Sequence, residues 1–209
     1  MTTRVLVADD QDLVRTGLKM ILEANGIEVV GEAANGKRAV ELAEALRPNV
    51  CLFDIRMPVM DGIEATRRLA PSGMAIIVIT TFDLDEYVFA AIKAGARGFL
   101  LKDAGPELLI QAIEAAASGD ALIAPRVTAR LLEKFAKLGG TPAQPVERLT
   151  EREEEVLRTV ARGRTNEEIA AELHISLSTV KTHIASLMGK LDARNRVEIA
   201  VWAYETGRL

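Results

Sequence analysis

The chain has 209 residues, 49% apolar and 27% charged, with a formal net charge of −4 and one cysteine. That length holds one large domain or two small ones, each with its own core, and a lone cysteine excludes a disulfide framework or a CxxC metal knuckle. No apolar run approaches the roughly 20 residues that cross a bilayer, and Met1-Thr2-Thr3-Arg4 leads straight into a strand, unlike a signal peptide; a cytoplasmic protein with no membrane partner is expected.

Short β-branched runs at 4–8, 28–33, 50–53, 75–79 and 98–101 alternate with helical patterns. The first helical pattern carries Val14, Leu18, Ile21 and Leu22 and stops at Asn25-Gly26. The second has Ala39, Val40, Ala43 and Leu46 on one face and ends at Pro48. Others are predicted over 62–69, 84–94 and 106–118. Five βα units with nearly continuous apolar strands imply an α/β fold, a doubly wound parallel sheet covered on both faces. Residues 1–120 carry 12 basic against 18 acidic side chains, 121–146 carry 4 against 1, and 147–209 carry 10 against 11. The expected division is a first domain over 1–120, a linker over 121–146 with one amphipathic helix at 127–138, and a small all-α domain over 147–209. The stretch Gly139 to Pro145 has linker composition. Capping boxes are predicted at Thr150 with Glu153, Thr165 with Glu168, and Asn195 with Glu198.

Asp9-Asp10 closes the first apolar run and Asp54 the third, so a parallel sheet brings three carboxylates to one end. In open α/β sheets that end is where ligands bind. Their mutual repulsion calls for a hard divalent cation, and Mg²⁺ suits an all-oxygen site. Thr80 and Lys102 follow two further runs. This set fits phosphoryl chemistry: Asp54 as the nucleophile that carries the phosphoryl group; Asp10, Asp54 and the backbone carbonyl near Arg56 on the metal; Asp9 on its coordinated water. Lys102 and Thr80 serve the phosphate oxygens. Taken alone, each residue also reads as a cap, a loop carboxylate or a solvated lysine; their coincidence at four strand ends favours the site.

Val-Ala-Asp9-Asp10, the run from Phe53 to Gly62, Thr80 and Gly98 to Asp103 resemble a two-component receiver domain over about residues 3–120. The resemblance implies strand order 2-1-3-4-5, phosphotransfer from a sensor histidine kinase to Asp54, and a switch in which Thr80 moves and the aromatic Phe99 reorients. Phe99 stands where many receivers carry tyrosine, so a hydroxyl-mediated switch is unavailable. Asp103 stands where many carry proline. A haloacid-dehalogenase-like phosphatase also uses an aspartyl nucleophile with Mg²⁺, but that family places a second carboxylate where this chain has Arg56. A receiver-like interaction protein that never accepts phosphate is the third reading.

Helical turns at 150–162, 166–173 and 176–191 form a trihelical unit whose last two members are separated by His174-Ile175, which is helix-turn-helix spacing. Val180, Ile184, Leu187 and Leu191 form the predicted buried face of the third. Ser178, Thr182, Ala185 and Gly189 point outward, with Lys181 at the shoulder; a solvated amphipathic helix has the same pattern. Leu149 to Glu153, Asn166 to Ala170, Ser178 to His183, Lys190-Leu191 and Arg194 to Arg196 resemble a LuxR-type helix-turn-helix. Joined to the receiver, the chain is similar to NarL/FixJ response regulators: transcription factors, not enzymes beyond their own phosphotransfer. That resemblance implies double-stranded DNA as partner, contacted by Ser178, Thr179, Lys181, Thr182, His183, Lys190 and Arg194. It also implies a homodimer when phosphorylated or DNA-bound, through the last helix at 196–205 (Val197, Val201). Four cations against one acid in 176–196 give this segment a basic character.

Overall fold

The computed structural model describes residues 2–81, 85–119, 145 and 147–208. They fall into two compact units, Met1–Ala124 and Pro125–Leu209. The helix expected at 127–138 lies outside the described residues.

The first unit alternates β1 (Arg4–Ala8), α1 (Asp12–Ala24), β2 (Glu28–Ala33), α2 (Gly36–Leu46), β3 (Val50–Asp54), α3 (Gly62–Leu69), β4 (Ala75–Thr80), α4 (Asp85–Lys93), β5 (Gly98–Leu101) and α5 (Pro106–Ser118). All pairings are parallel and the order is β2-β1-β3-β4-β5. Side chains alternate across a strand, and the core divides accordingly. Val5, Val7, Leu52, Ile77 and Leu100 face one side with Leu18, Leu22, Leu109 and Ile113 of α1 and α5. Leu6, Cys51, Phe53 and Ile76 face the other with Ala39, Ala43, Ala65 and Leu69 of α2 and α3. Burial pushes the Cys51 thiol up to about 12.

Register positions the strand ends. Ala8 pairs with Phe53, Asp54 with Ile79 and Thr80 with Leu101, so Asp9 follows β1 at the level of Asp54. The chain then leaves β3, makes an excursion over 55–61, and returns. Asn35 and Asp61 cap α2 and α3, accepting the Arg38 and Glu64 N–H at 2.8 and 2.7 Å; such caps stabilise a helix by about 1 kcal/mol each. The Gly62 N–H donates to Ile55 O at 2.9 Å, and a β-carbon there would meet the Asp54 carbonyl at 2.0 Å. Only glycine lets α3 begin so close to the end of β3. Mid-loop, Val59 sits at φ 68, the Met60 N–H bonds Pro58 O at 2.7 Å, and the valine is 81% exposed. A β-branched residue in this left-handed γ-turn is strained.

The second unit holds α6 (Glu151–Ala161), α7 (Asn166–Leu173), α8 (Leu177–Leu191) and α9 (Arg196–Glu205). Thr150 and Thr165 form reciprocal capping boxes with Glu153 and Glu168. At the third predicted box Asn195 caps Val197 and Glu198, while the Glu198 carboxylate accepts the Arg194 N–H at 2.8 Å. Val156, Leu157, Ile169, Val180, Ile184, Leu187, Ile199 and Trp202 make one core. Among the described residues no helix is long and apolar enough to cross a membrane.

Candidate phosphoryl site and nucleic-acid interface

Asp9, Asp10 and Asp54 offer carboxylate oxygens that all lie within 4.8 Å of one another. Asp9 is fully buried, Asp54 is 4% exposed, and Asp10 is open to solvent. Among the described residues the ammonium of Lys102 stands against them, its Nζ 2.5 Å from Asp9 Oδ2 and 3.3 Å from Asp54 Oδ2. Asp9 Oδ1 accepts the Gln11 N–H at 2.9 Å, whereas Oδ2 is buried with no well-directed hydrogen bond, only the lysine's charge. Burial holds the Asp54 carboxyl above its ordinary value; Lys102 pulls it down and Asp9 pushes it up. Three carboxylates against one cation leave a surplus of negative charge, and a hard, oxygen-seeking dication fits that donor set.

Thr80 is buried at the end of β4, and Lys102 is tied to it by its N–H to Thr80 O at 2.8 Å. Phe99 is fully buried on β5. The Lys102–Asp103 peptide is trans, as are all peptide bonds among the described residues. Arg56 folds across the β3–α3 loop, its Nη2 donating to Tyr87 Oη of α4 at 3.0 Å with its guanidinium carbon 5.7 Å from the ring centroid. Both residues line an open cleft of about 490 Å³ together with Asp10, Met57, Pro58 and Asp61. Sequence reasoning placed only the Arg56 carbonyl here and missed Tyr87, 31 positions away. It also missed Arg15, whose Nη1 donates to Asp9 O at 2.6 Å and which pairs with Asp12; the three-residue spacing of that pair was the available signal.

In the second unit α7 and α8 meet at His174, at φ 54, and Ser176, which caps α8 by accepting the Thr179 N–H at 3.1 Å. Val180, Ile184, Leu187 and Leu191 are buried; Ser178, Lys181, Thr182, Ala185 and Gly189 are exposed; Thr179, His183 and Lys190 are half-buried. The four cations of 176–196 differ sharply in availability. Lys190 donates to Glu153 Oε2 at 2.8 Å. Arg196 is 8% exposed and bonds Asn166 Oδ1 at 2.7 Å and the Arg164 carbonyl. Arg194 approaches Glu198 at 3.5 Å. Lys181 alone of the four is exposed with no ion pair among the described residues. Burial would raise the Glu153 carboxyl, but donors from Lys190, Thr150 and Ser186 outweigh it and hold it down to about 2.

The family model described as the response regulator receiver domain matches residues 5–114, and that of the bacterial regulatory proteins of the luxR family matches 147–203. This chain is a response regulator of the NarL/FixJ kind. The response regulator is 44% identical over 204 residues to the transcriptional regulatory protein LiaR of Bacillus subtilis strain 168, covering 96% of each chain. It is 38% identical to the nitrate/nitrite response regulator NarL of Escherichia coli K12, over 96% of this chain and 94% of that one. Among solved structures it is similar to the response regulator ChrA of a heme-sensing two-component system (TM-score 0.55, 35% identity, 100% and 99% of the two chains). It also resembles RcsB, in a structure of two dimers bound to two parallel DNAs (TM-score 0.57, 29% identity, 99% and 98%).

Proposed function

We propose that this response regulator accepts a phosphoryl group on Asp54 from a sensor histidine kinase and thereby controls promoter binding by its C-terminal unit. One observation carries the reading: a cluster of three carboxylates and one ammonium, charge-unbalanced, at the carboxyl ends of a parallel sheet. Asp9, Asp10, Asp54 and the Arg56 carbonyl would hold Mg²⁺. When bound, the ion screens the charge between the nucleophile and the incoming phosphate. Asp54 attacks phosphorus; Lys102 leaves its carboxylate partners for a phosphoryl oxygen, and the Thr80 hydroxyl donates to another. That rearrangement repacks Thr80 and Phe99. The kinase is a protein, and a contact surface for it lies beside the site, where Leu13 and Met20 of α1 are 85% and 67% exposed.

The domain division we favour is 1–120, 121–146 and 147–209. Ser178, Thr179, Lys181, Thr182, His183 and Arg194 present α8 and its exit to double-stranded DNA, while Lys190 contributes through the Glu153 pair that seats the helix. With one freely exposed cation on α8, a single domain has little electrostatic pull on phosphate, which favours a homodimer on two half-sites; partly exposed Val197 on α9 is available for that contact. The protein acts in the cytoplasm, and its only reaction is its own phosphotransfer. Acetyl phosphate with Mg²⁺ should add one phosphoryl group by mass, removable by hydroxylamine and absent in Asp54→Asn. Undiminished labelling of the variant would refute the assignment.

A further inference from the structure

The outward face of α8 is poor in groups that could read a base by hydrogen bonding. Ser178, Thr182, Ala185 and Gly189 recur at i, i+4, i+7 and i+11, and all four are exposed. The hydroxyls among them are already engaged within the helix. Thr182 Oγ1 donates to the Ser178 carbonyl, one turn back, at 3.0 Å. Ser178 Oγ and Thr179 Oγ1 each lie 2.7 Å from Ser176 Oγ, which also accepts the Thr179 N–H. With its hydroxyl turned along the helix, Thr182 shows its methyl group to the outside. Ala185 adds a β-carbon and no polar atom. A β-carbon at Gly189 would meet nothing within 4 Å. Glycine weakens a helix interior relative to alanine, and the packing of this unit gives no reason for it; a partner lying close against the helix would.

We infer that α8 reads thymine by its C5 methyl group in the major groove, through the Thr182 methyl and the Ala185 β-carbon. The inference deepens the reading of this unit as a DNA-binding domain and rests on it. Each base shows a different pattern in that groove: guanine two acceptors, adenine an acceptor beside a donor, thymine an acceptor beside a methyl. Guanine and adenine are read by long side chains with paired polar groups, and neither Ala185, Gly189 nor the engaged hydroxyl of Thr182 presents such a pair. A small apolar surface is complementary to the methyl. Burying one against the other removes apolar area from water and strands no polar atom. Lys181, on the shoulder of this face, is exposed. Its ammonium reaches phosphate oxygens, which anchors the helix without selecting a base.

The experiment uses the full chain treated with acetyl phosphate and Mg²⁺, a pool of random duplexes from which a tight site is selected, and footprinting to locate its half-sites. Thymines within one half-site are then replaced singly by deoxyuridine, which lacks only the methyl. At one thymine or more, replacement should weaken binding about fourfold, the scale of one buried methyl. Thr182→Ser keeps the hydroxyl and loses the methyl. It should bind the unmodified duplex about fourfold more weakly per half-site and no longer distinguish thymine from uracil at the position Thr182 reads. Thr182→Val keeps a methyl, loses the hydroxyl, and should bind like the wild type. Equal affinity for every uridine duplex overturns the inference. So does a uridine penalty that survives undiminished in Thr182→Ser at every position. A Thr182→Val variant as weak as Thr182→Ser overturns it too, since the hydroxyl would then be the reader, as do selected half-sites without thymine. A pool from which no sequence is enriched is a different outcome: it overturns the reading of the unit as promoter-binding, and this inference with it.

Discussion

The two units of the molecule bury charge in opposite ways. In the first, Asp9 and Asp54 are almost wholly withdrawn from water beside Asp10, and among the described residues Lys102 is the cation that an ion pair sets against them. In the second, Glu153 and Arg196 are as deeply buried, but each is surrounded by partners: lysine, serine and threonine around the glutamate, an asparagine and a carbonyl around the arginine. A buried charge without enough partners is costly, and a fully satisfied network stiffens the fold around it. The acidic cluster therefore keeps a surplus of negative charge, whereas the helical network is balanced by its own partners. Charge left unbalanced marks a place of chemistry; charge balanced within the chain marks a brace.

The helical brace is the more easily disrupted of the two. Lys190→Met leaves Glu153 buried without its cation, and breaking a buried pair this way costs about 3 kcal/mol. Denaturant unfolding followed by Trp202 fluorescence reads the helical unit, because Trp202 is the chain's one tryptophan. A loss below about 1 kcal/mol would show that the network is dispensable.

Next in size is an acid effect. Glu153 is lowered from its ordinary value of 4.5 to about 2 in the folded chain. A depressed folded value means stability that is present above the unfolded value and lost as pH falls through the folded one. The helical unit should thus weaken between pH 4.5 and about 2, by about 2 kcal/mol after allowance for partial solvation. Titrating the Trp202 unfolding midpoint against pH tests this, and in Glu153→Gln that window should flatten.

The sheet domain should respond with the opposite sign. Its Asp54 carboxyl is raised above the ordinary value, so the ionised form weakens the fold at neutral pH and that penalty fades as pH falls. Asp54→Asn should stabilise the receiver by about 1 kcal/mol at neutral pH, the scale of neutralising one crowded carboxylate. Added Mg²⁺ should stabilise the wild type more than the variant, as seen by calorimetry. A destabilised variant would mean that the pocket is already balanced. The smallest change concerns the strained turn: Val59→Asn, a residue more at ease at positive φ, should gain about 0.5 kcal/mol.

What could be foreseen from the residues was local or periodic. Helix 62–69, the five strands and the two threonine capping boxes follow from spacing and from glycine and proline stops. The convergence of Asp9, Asp10, Asp54, Thr80 and Lys102 follows from their common place after apolar runs, once the strands are parallel. What escaped were the pairings between elements. Arg196 counted as one more cation for a basic face, yet it is spent on Asn166 and Arg164, about 30 residues upstream. Lys190 meets Glu153 across two helices, and Arg56 meets Tyr87 across loop and helix. Their partners are selected by crossing geometry, which no interval along the chain encodes.

Cys51 lies fully buried on β3, and its thiol sits at about 12. At pH 8 only about one such group in ten thousand is a thiolate, the form that alkylating reagents attack. To maleimide chemistry the native chain is therefore blank. Cysteines introduced at exposed Val59 and Tyr204, one in each unit, could carry a pair of fluorophores without Cys51 being removed, and the distance between the two units could be followed in real time as acetyl phosphate is added.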